Sequence, residues 1–135
     1  MPDLHDLLIK TSRTFGASIP ILEEPLRRQV TVAYLLFRIA DTFEDGDRWP
    51  PARRIGALER FDAMLVAGAE AAEPTPPPDA WTADPPCAHA GYRELLAATP
   101  FVLGELGRLD PDARRRIVHH TRRTIEGMAR SVARM

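Results

Sequence analysis

The chain contains 135 residues, of which 44% are hydrophobic and 27% are charged, so its length suits one globular domain and excludes two. Its single cysteine, Cys87, excludes an internal disulfide and a cysteine zinc site, and a formal net charge of −1 argues against a basic nucleic-acid-binding protein. The N-terminus lacks the positive charge of a signal peptide, and no apolar run reaches the roughly 18 residues that a membrane span needs. We expect a cytoplasmic protein without a membrane span, and loose association with a membrane surface is the alternative.

Apolar residues recur at intervals of three and four along the chain, which predicts an all-α fold. A short helix from Leu4 is expected to end in a turn at 11–16, because hydroxyl residues and Gly16 favour a turn there. The other predicted elements are a long helix at 25–45, a third helix at 52–66, a proline-rich irregular loop at 73–86, and helices at 92–97, at 99–107 and from Asp110 onward. Since each side of the loop is too small to stand alone, we expect residues 1–135 to form a single helical domain.

The long helix at 25–45 is apolar on one side and polar on the other. Tyr34, Arg38, Asp41 and Asp45 fall within an arc of about 60° around the helix axis. The residues on the opposite side are all apolar, namely Val32, Leu35, Leu36, Ile39 and Phe43. We therefore expect the apolar side to pack in a core and the polar stripe to line a cavity.

Four carboxylates, those of Asp41, Glu44, Asp45 and Asp47, occupy the C-terminal end of this helix, where the macrodipole is already negative. Local rules would place Lys or Arg there, so a bound cation would explain the arrangement. Mg²⁺ binds one or two carboxylates together with substrate phosphates, and Arg38, one turn earlier, has planar donor geometry that suits phosphate oxygens. The pattern predicts a Mg²⁺-diphosphate site, and a solvated acidic helix end is the alternative.

Two motifs carry a resemblance to a known family. The sequence SRTF at 12–15 and the sequence YLLFRIADTFED at 34–45 resemble the squalene/phytoene synthase family. Leu22, Leu26 and Arg27 extend the match between them, and the sequence GMA at 127–129 continues it weakly. The resemblance implies the all-α helical bundle of an isoprenoid (terpenoid) synthase, present here in part. It also implies a Mg²⁺-dependent prenyltransferase that joins two allylic prenyl diphosphates, farnesyl or geranylgeranyl, head to head into a squalene- or phytoene-type product.

The resemblance also implies roles for individual residues. Asp41, Glu44 and Asp45 would hold Mg²⁺, and Asp41, Asp45 and Arg38 would act in catalysis. The residues that would bind the substrate diphosphate are Ser12, Arg13, Phe15, Tyr34 and Arg38, and those that would line the pocket are Gly127 and Met128. Three of these positions have structural alternatives, which are a turn cap for Ser12, a core position for Phe15 and helix packing for Met128.

The chain departs from the family pattern at its downstream end. The family carries a second aspartate-rich motif and a catalytic tyrosine region after GMA, and neither occurs in these 135 residues. We expect the N-terminal portion of such a synthase, whose partner would be a complementary subunit or a C-terminal half. A non-catalytic helical partner or pseudoenzyme is the alternative. The SRTF and DTFED forms favour the squalene-forming branch, which uses NADPH, although no GxGxxG fingerprint occurs.

A third hypothesis is nucleic-acid binding through arginines of the last predicted helix, which are Arg114, Arg115, Arg116, Arg122 and Arg123. We do not favour it, because these side chains point in nearly all directions around the helix. Arginines on a helix surface are commonly solvated or paired with acids elsewhere.

Overall fold

The computed structural model describes residues 2–70 and 78–134, and every regular element within those ranges is helical. The α-helices of the described residues are α1 (Leu4–Thr11), α2 (Arg13–Ser18), α3 (Leu26–Glu44), α4 (Pro51–Glu70), α5 (Ala80–Ala83), α6 (Ala90–Ala97), α7 (Thr99–Gly107) and α8 (Pro111–Ala133). A short 3-10 helix, Ile19–Ile21, follows α2 directly. The predicted all-α fold is confirmed.

Helix α3 lies at the centre of the fold, in contact with α1, α4, α6, α7 and α8. Its predicted apolar side is confirmed, because the side chains of Val32, Leu35, Leu36, Ile39 and Phe43 are completely buried. Burial of each such large side chain is worth roughly 1.5–3 kcal/mol. This packing fixes the rotation of α3 about its axis and leaves its polar stripe on the other side.

Helix α8 packs along α3 and α4. It begins as predicted, since the carboxylate of Asp110 accepts hydrogen bonds from the backbone N–H groups of Asp112 and Ala113. The buried residues of α8 recur at intervals of three and four, namely Thr121, Ile125, Met128 and Val132. The buried face of α8 therefore follows the spacing of three and four that predicts the all-α fold.

The turn predicted at 11–16 is wrong, since Arg13–Ser18 form α2. Ser12 has an extended backbone that ends α1, and its Oγ accepts a hydrogen bond from the backbone N–H of Phe15 at 3.1 Å. The hydroxyl residue that favoured a turn is thus the N-cap of a new helix. The resulting sharp bend brings α2 back against α1.

The prediction of an irregular loop at 73–86 is wrong in part, because its described residues include a short helix. Residues 73–77 lie outside the described residues, whereas Ala80–Ala83 form α5, a short helix that was not predicted. Trp81 in this helix is buried, and its ring packs edge-on against Phe43 with 4.6 Å between centroids. A large aromatic side chain inserted in the core holds this stretch against the end of α3.

Helix α6 approaches α1 closely at Gly91, where an added Cβ would overlap the backbone carbonyl oxygen of Lys10. We expect Gly91→Ala to lower the free energy of unfolding by about 1–3 kcal/mol, because the two helices must separate. Gly56→Ala in α4 is the matched control, since a Cβ there meets open space. It should raise the free energy of unfolding by about 0.5–1 kcal/mol through helix propensity. Urea denaturation measures both, and equal stability of the Gly91 variant and the wild type would contradict the close approach.

Candidate metal and diphosphate site

Three of the four predicted carboxylates converge at the end of α3. Single carboxylate oxygens of Asp41, Glu44 and Asp45 all lie within 4.8 Å of one another. Asp41 and Glu44 are half-buried, whereas Asp45 is exposed. Asp47 is exposed on the turn after α3 and lies outside this group. We call Asp41, Glu44 and Asp45 the acidic cluster.

The electrostatics of the acidic cluster are unfavourable without a cation. Burial raises the pKa of Asp41, and the neighbouring charge of Asp45 raises it further, although Arg38 opposes the shift. Burial likewise raises the pKa of Glu44, followed by the charges of Asp45 and Asp41. Hard divalent cations such as Mg²⁺ prefer carboxylate oxygens, so the donor set fits this metal. A cation there would offset the repulsion that the fold itself imposes.

Arg38 lies against the acidic cluster, with Nη1 2.6 Å from a carboxylate oxygen of Asp41. Its Nε donates a long hydrogen bond of 3.4 Å to the hydroxyl of Tyr34, which itself donates to the carbonyl of Thr11 in α1. The guanidinium also lies over the ring of Tyr92 in α6, 5.0 Å from the centroid. The structure thus brings Tyr34, Arg38 and Asp41 of the predicted stripe together.

The SRTF segment reaches this site through Phe15. The ring of Phe15 lies 5.0 Å from that of Tyr34 and is 46% exposed, so the alternative of a core position is wrong. Ser12 caps α2, as described above, and Arg13 is exposed and forms no hydrogen bond or ion pair within the described part of the chain. Diphosphate binding by Ser12, Arg13 and Phe15 stays a prediction.

The GMA segment lies on α8. Met128 is buried in the hydrophobic core, which matches the packing alternative, and Gly127 is half-buried. Pocket lining by Gly127 and Met128 stays a prediction. A groove of about 1020 Å³ does lie between α4 and α8, and neither residue lines it.

The arginines of α8 are partly paired with acids. Arg122 donates to both carboxylate oxygens of Asp62 in α4, at 2.9 and 3.3 Å. Arg115 pairs with Asp112, and Arg130 pairs with Glu126 at 2.9 Å. Two of the five arginines that suggested a nucleic-acid surface, Arg115 and Arg122, are thus paired with acids.

Two residues near the site carry no signal in the sequence. Arg54 in α4 is buried, and it donates from Nη1 to the carbonyl of Glu44 and from Nε to the carbonyl of Trp49, both at 3.1 Å. The cation that local rules place at the end of α3 therefore comes from the next helix. Tyr92 lies 54 positions beyond Arg38 and reaches it only through the packing of α6.

The raised pKa of Glu44 gives a stability prediction with a definite sign. A carboxyl group whose pKa is higher in the folded state loses its stabilising contribution as the pH rises through that pKa. Glu44→Gln should therefore raise the free energy of unfolding at neutral pH by roughly 0.5 kcal/mol, and by nothing at acidic pH. Thermal unfolding from acidic to neutral pH without metal measures this difference.

If Glu44 is a metal ligand, as the resemblance implies, the same Glu44→Gln variant should gain less stability from added Mg²⁺ than the wild type. A wild type that is as stable as the variant across the whole pH range would contradict the repulsion. If Mg²⁺ stabilised the variant and the wild type equally, Glu44 would not be a ligand of the metal.

Among the described residues, none of the helices combines the length and apolarity that a membrane span requires. Their arrangement is that of the all-α isoprenoid synthase class. The family model described as squalene/phytoene synthase matches residues 8–134. The chain belongs to the squalene/phytoene synthase family.

Several curated relatives are similar to nearly the whole chain. A squalene synthase of Eremothecium gossypii is 30% identical over 125 residues, which are 93% of this chain and 26% of the relative. Squalene synthase LSS of Botryococcus braunii is also 30% identical over 125 residues, or 93% and 24% of the two chains. Squalene synthase ERG9 of Saccharomyces cerevisiae is 30% identical over 124 residues, or 92% and 26%. The chain thus spans about a quarter of the length of these relatives.

Proposed function

We propose that this chain provides the Mg²⁺- and diphosphate-binding part of a prenyltransferase that joins two allylic prenyl diphosphates head to head. The observation that carries the proposal is the acidic cluster, in which three carboxylates meet beside the guanidinium of Arg38. Family membership and the similarity to squalene synthases support the reaction class. The substrates in this proposal are farnesyl or geranylgeranyl diphosphate, and NADPH would enter if the product is squalene.

The charge of each residue in the proposed site determines its role. Bound Mg²⁺ would supply the positive charge that stabilises a departing diphosphate. Asp41, Glu44 and Asp45 would hold it, and Arg38 would donate N–H groups to diphosphate oxygens from the side. Tyr34 orients Arg38 through its hydroxyl group, which is itself fixed by the carbonyl of Thr11. Together these groups bind and orient a diphosphate at one end of α3.

An apolar groove beside the site suits the prenyl chain. It has a volume of about 280 Å³ between α3 and α8, and Phe37, Ala40, Ile117 and Thr121 are among its lining residues. Phe37 is 41% exposed and lies one helical turn before Asp41 on α3. A diphosphate held by the acidic cluster would therefore have apolar surface within reach for its hydrocarbon tail.

Calorimetric titration with pyrophosphate, with and without Mg²⁺, tests the proposal. We expect binding only in the presence of Mg²⁺, because the acidic cluster repels the free anion. A non-hydrolysable farnesyl thiodiphosphate should then bind at least about tenfold more tightly than pyrophosphate, since its tail buries apolar area. Absence of binding, or affinity that does not depend on Mg²⁺, would overturn the proposal.

The second candidate is a non-catalytic helical partner or pseudoenzyme, which would share the acidic cluster and Arg38. This candidate predicts that prenyl diphosphates bind without being converted. Product analysis after incubation with farnesyl diphosphate, Mg²⁺ and NADPH separates the two, because release of inorganic pyrophosphate together with a C30 product requires catalysis.

A further inference from the structure

Tyr92 contacts the site from outside both sequence motifs. It lies in α6, and the centroid of its ring is 5.0 Å from Cζ of Arg38, nearer than the ring of Tyr34 at 5.9 Å. A guanidinium over an aromatic ring at less than about 6 Å is attracted to the negative face of the ring. Arg38 is therefore flanked by two aromatic rings and one carboxylate, that of Asp41.

The ring of Tyr92 is held in place by its surroundings. His89 is the N-cap of α6, and its Nδ1 accepts a hydrogen bond from the backbone N–H of Tyr92 at 3.3 Å. The imidazole also stacks on the ring of Tyr92, with 4.0 Å between centroids. Gly91, just before Tyr92, allows α6 to approach α1 closely, and α1 in turn binds the hydroxyl of Tyr34. The packing thus fixes Tyr92 beside Arg38 before any ligand arrives.

A neutral partner suits Arg38 better than a second carboxylate would. The closest contact of Arg38 is Asp41, and a metal on the acidic cluster would draw on the same carboxylate group. The hydrogen bond to Tyr34 is long, at 3.4 Å. The face of an aromatic ring attracts the guanidinium without competing for metal, and it uses none of the N–H groups with which Arg38 could bind an anion.

We propose that Tyr92 is a positioning residue that holds Arg38 in the orientation that binds the substrate diphosphate. The inference rests on the proposed function of Arg38 in diphosphate binding. It extends the site from the motif-bearing helices α2 and α3 to α6.

Two substitutions of Tyr92 separate the ring from the hydroxyl group. Tyr92→Leu removes the ring face and should weaken pyrophosphate binding in saturating Mg²⁺ by about tenfold. Tyr92→Phe retains the ring and should bind within about threefold of the wild type. Mg²⁺ affinity measured without pyrophosphate should be unchanged in both variants, because the carboxylate ligands belong to α3. A purely structural role would weaken Mg²⁺ and pyrophosphate binding together.

A double-mutant cycle with Arg38→Gln completes the test. In that background Tyr92→Leu should have no further effect on pyrophosphate affinity, because the side chain that it positions is absent. Circular dichroism checks the folding of every variant, and Tyr92→Met, which is flexible and unbranched, replaces Tyr92→Leu if that variant does not fold.

The possible outcomes distinguish the inference from the proposed function. A wild type that binds no pyrophosphate with Mg²⁺ would overturn both. A wild type that binds pyrophosphate, together with a Tyr92→Leu variant of equal affinity, would overturn only the role of Tyr92. An equal loss of pyrophosphate affinity in Tyr92→Leu and Tyr92→Phe would show that the hydroxyl group is responsible. That result would also overturn positioning by the ring.

Discussion

Asp41→Asn is expected to weaken Mg²⁺-dependent pyrophosphate binding by about 100-fold or more, and to lower prenyl diphosphate turnover by a comparable factor. Asp41 is the one residue that belongs to the acidic cluster and also forms the ion pair with Arg38, at 2.6 Å. The substitution preserves the shape of the side chain and removes its charge. It therefore removes one proposed metal ligand and the anion that pairs with the guanidinium of Arg38, the proposed diphosphate-binding group. Calorimetric titration of pyrophosphate in saturating Mg²⁺ measures the effect.

Asp47→Asn is the matched control, because Asp47 is an exposed carboxylate on the turn that follows α3 and lies outside the acidic cluster. This substitution also removes one negative charge. The pyrophosphate affinity of the variant should stay within about twofold of that of the wild type. Similar losses in the two variants would show that bulk negative charge matters and not ligation. Full affinity in Asp41→Asn would remove Asp41 from the metal site.

The features predicted correctly from the sequence are those that depend on local spacing. The buried side of α3 follows from the helical period, because apolar residues at intervals of three and four must lie on one face. The closeness of Asp41 and Asp45 follows from the same geometry, since residues four positions apart are neighbours on a helix. The place of Glu44 in the acidic cluster was implied by the family resemblance and not by spacing.

The features that the sequence could not predict depend on which helices meet. Ser12 illustrates a local ambiguity, because a hydroxyl group can stabilise a turn or cap a helix, and the return of α2 against α1 decides between them. Tyr92 and Arg54 illustrate an ambiguity between residues that are far apart in the sequence. Each belongs to an ordinary amphipathic helix, and its contact with the end of α3 exists only after α4 and α6 have packed.

Arg54 supplies a positive charge at the acidic C-terminal end of α3, which has no basic residue in its own last turn. The last turn of α3 has carbonyl groups without helical partners and contains two of the three acids of the cluster, Asp41 and Glu44. The guanidinium of Arg54 donates to the carbonyl of Glu44 and to that of Trp49 in the following turn. It therefore caps α3 and closes the turn into α4 with one buried side chain. A cation from another helix thus offsets the negative end of the α3 macrodipole, while burial and the neighbouring carboxylates still raise the pKa values of Asp41 and Glu44.

Arg54→Met is consequently expected to lower the free energy of unfolding by about 3 kcal/mol, measured by urea denaturation without metal. Methionine fills a volume similar to that of arginine. The loss of stability would therefore measure the cost of the unsatisfied carbonyl groups and of the uncompensated acidic helix end. Arg60→Met on the exposed side of α4 is the control and should change the free energy by less than about 0.5 kcal/mol. Mg²⁺ should restore part of the stability lost in Arg54→Met, because both cations act on the same helix end. Equal stability of the two variants would show that the acidic end of α3 needs no internal cation.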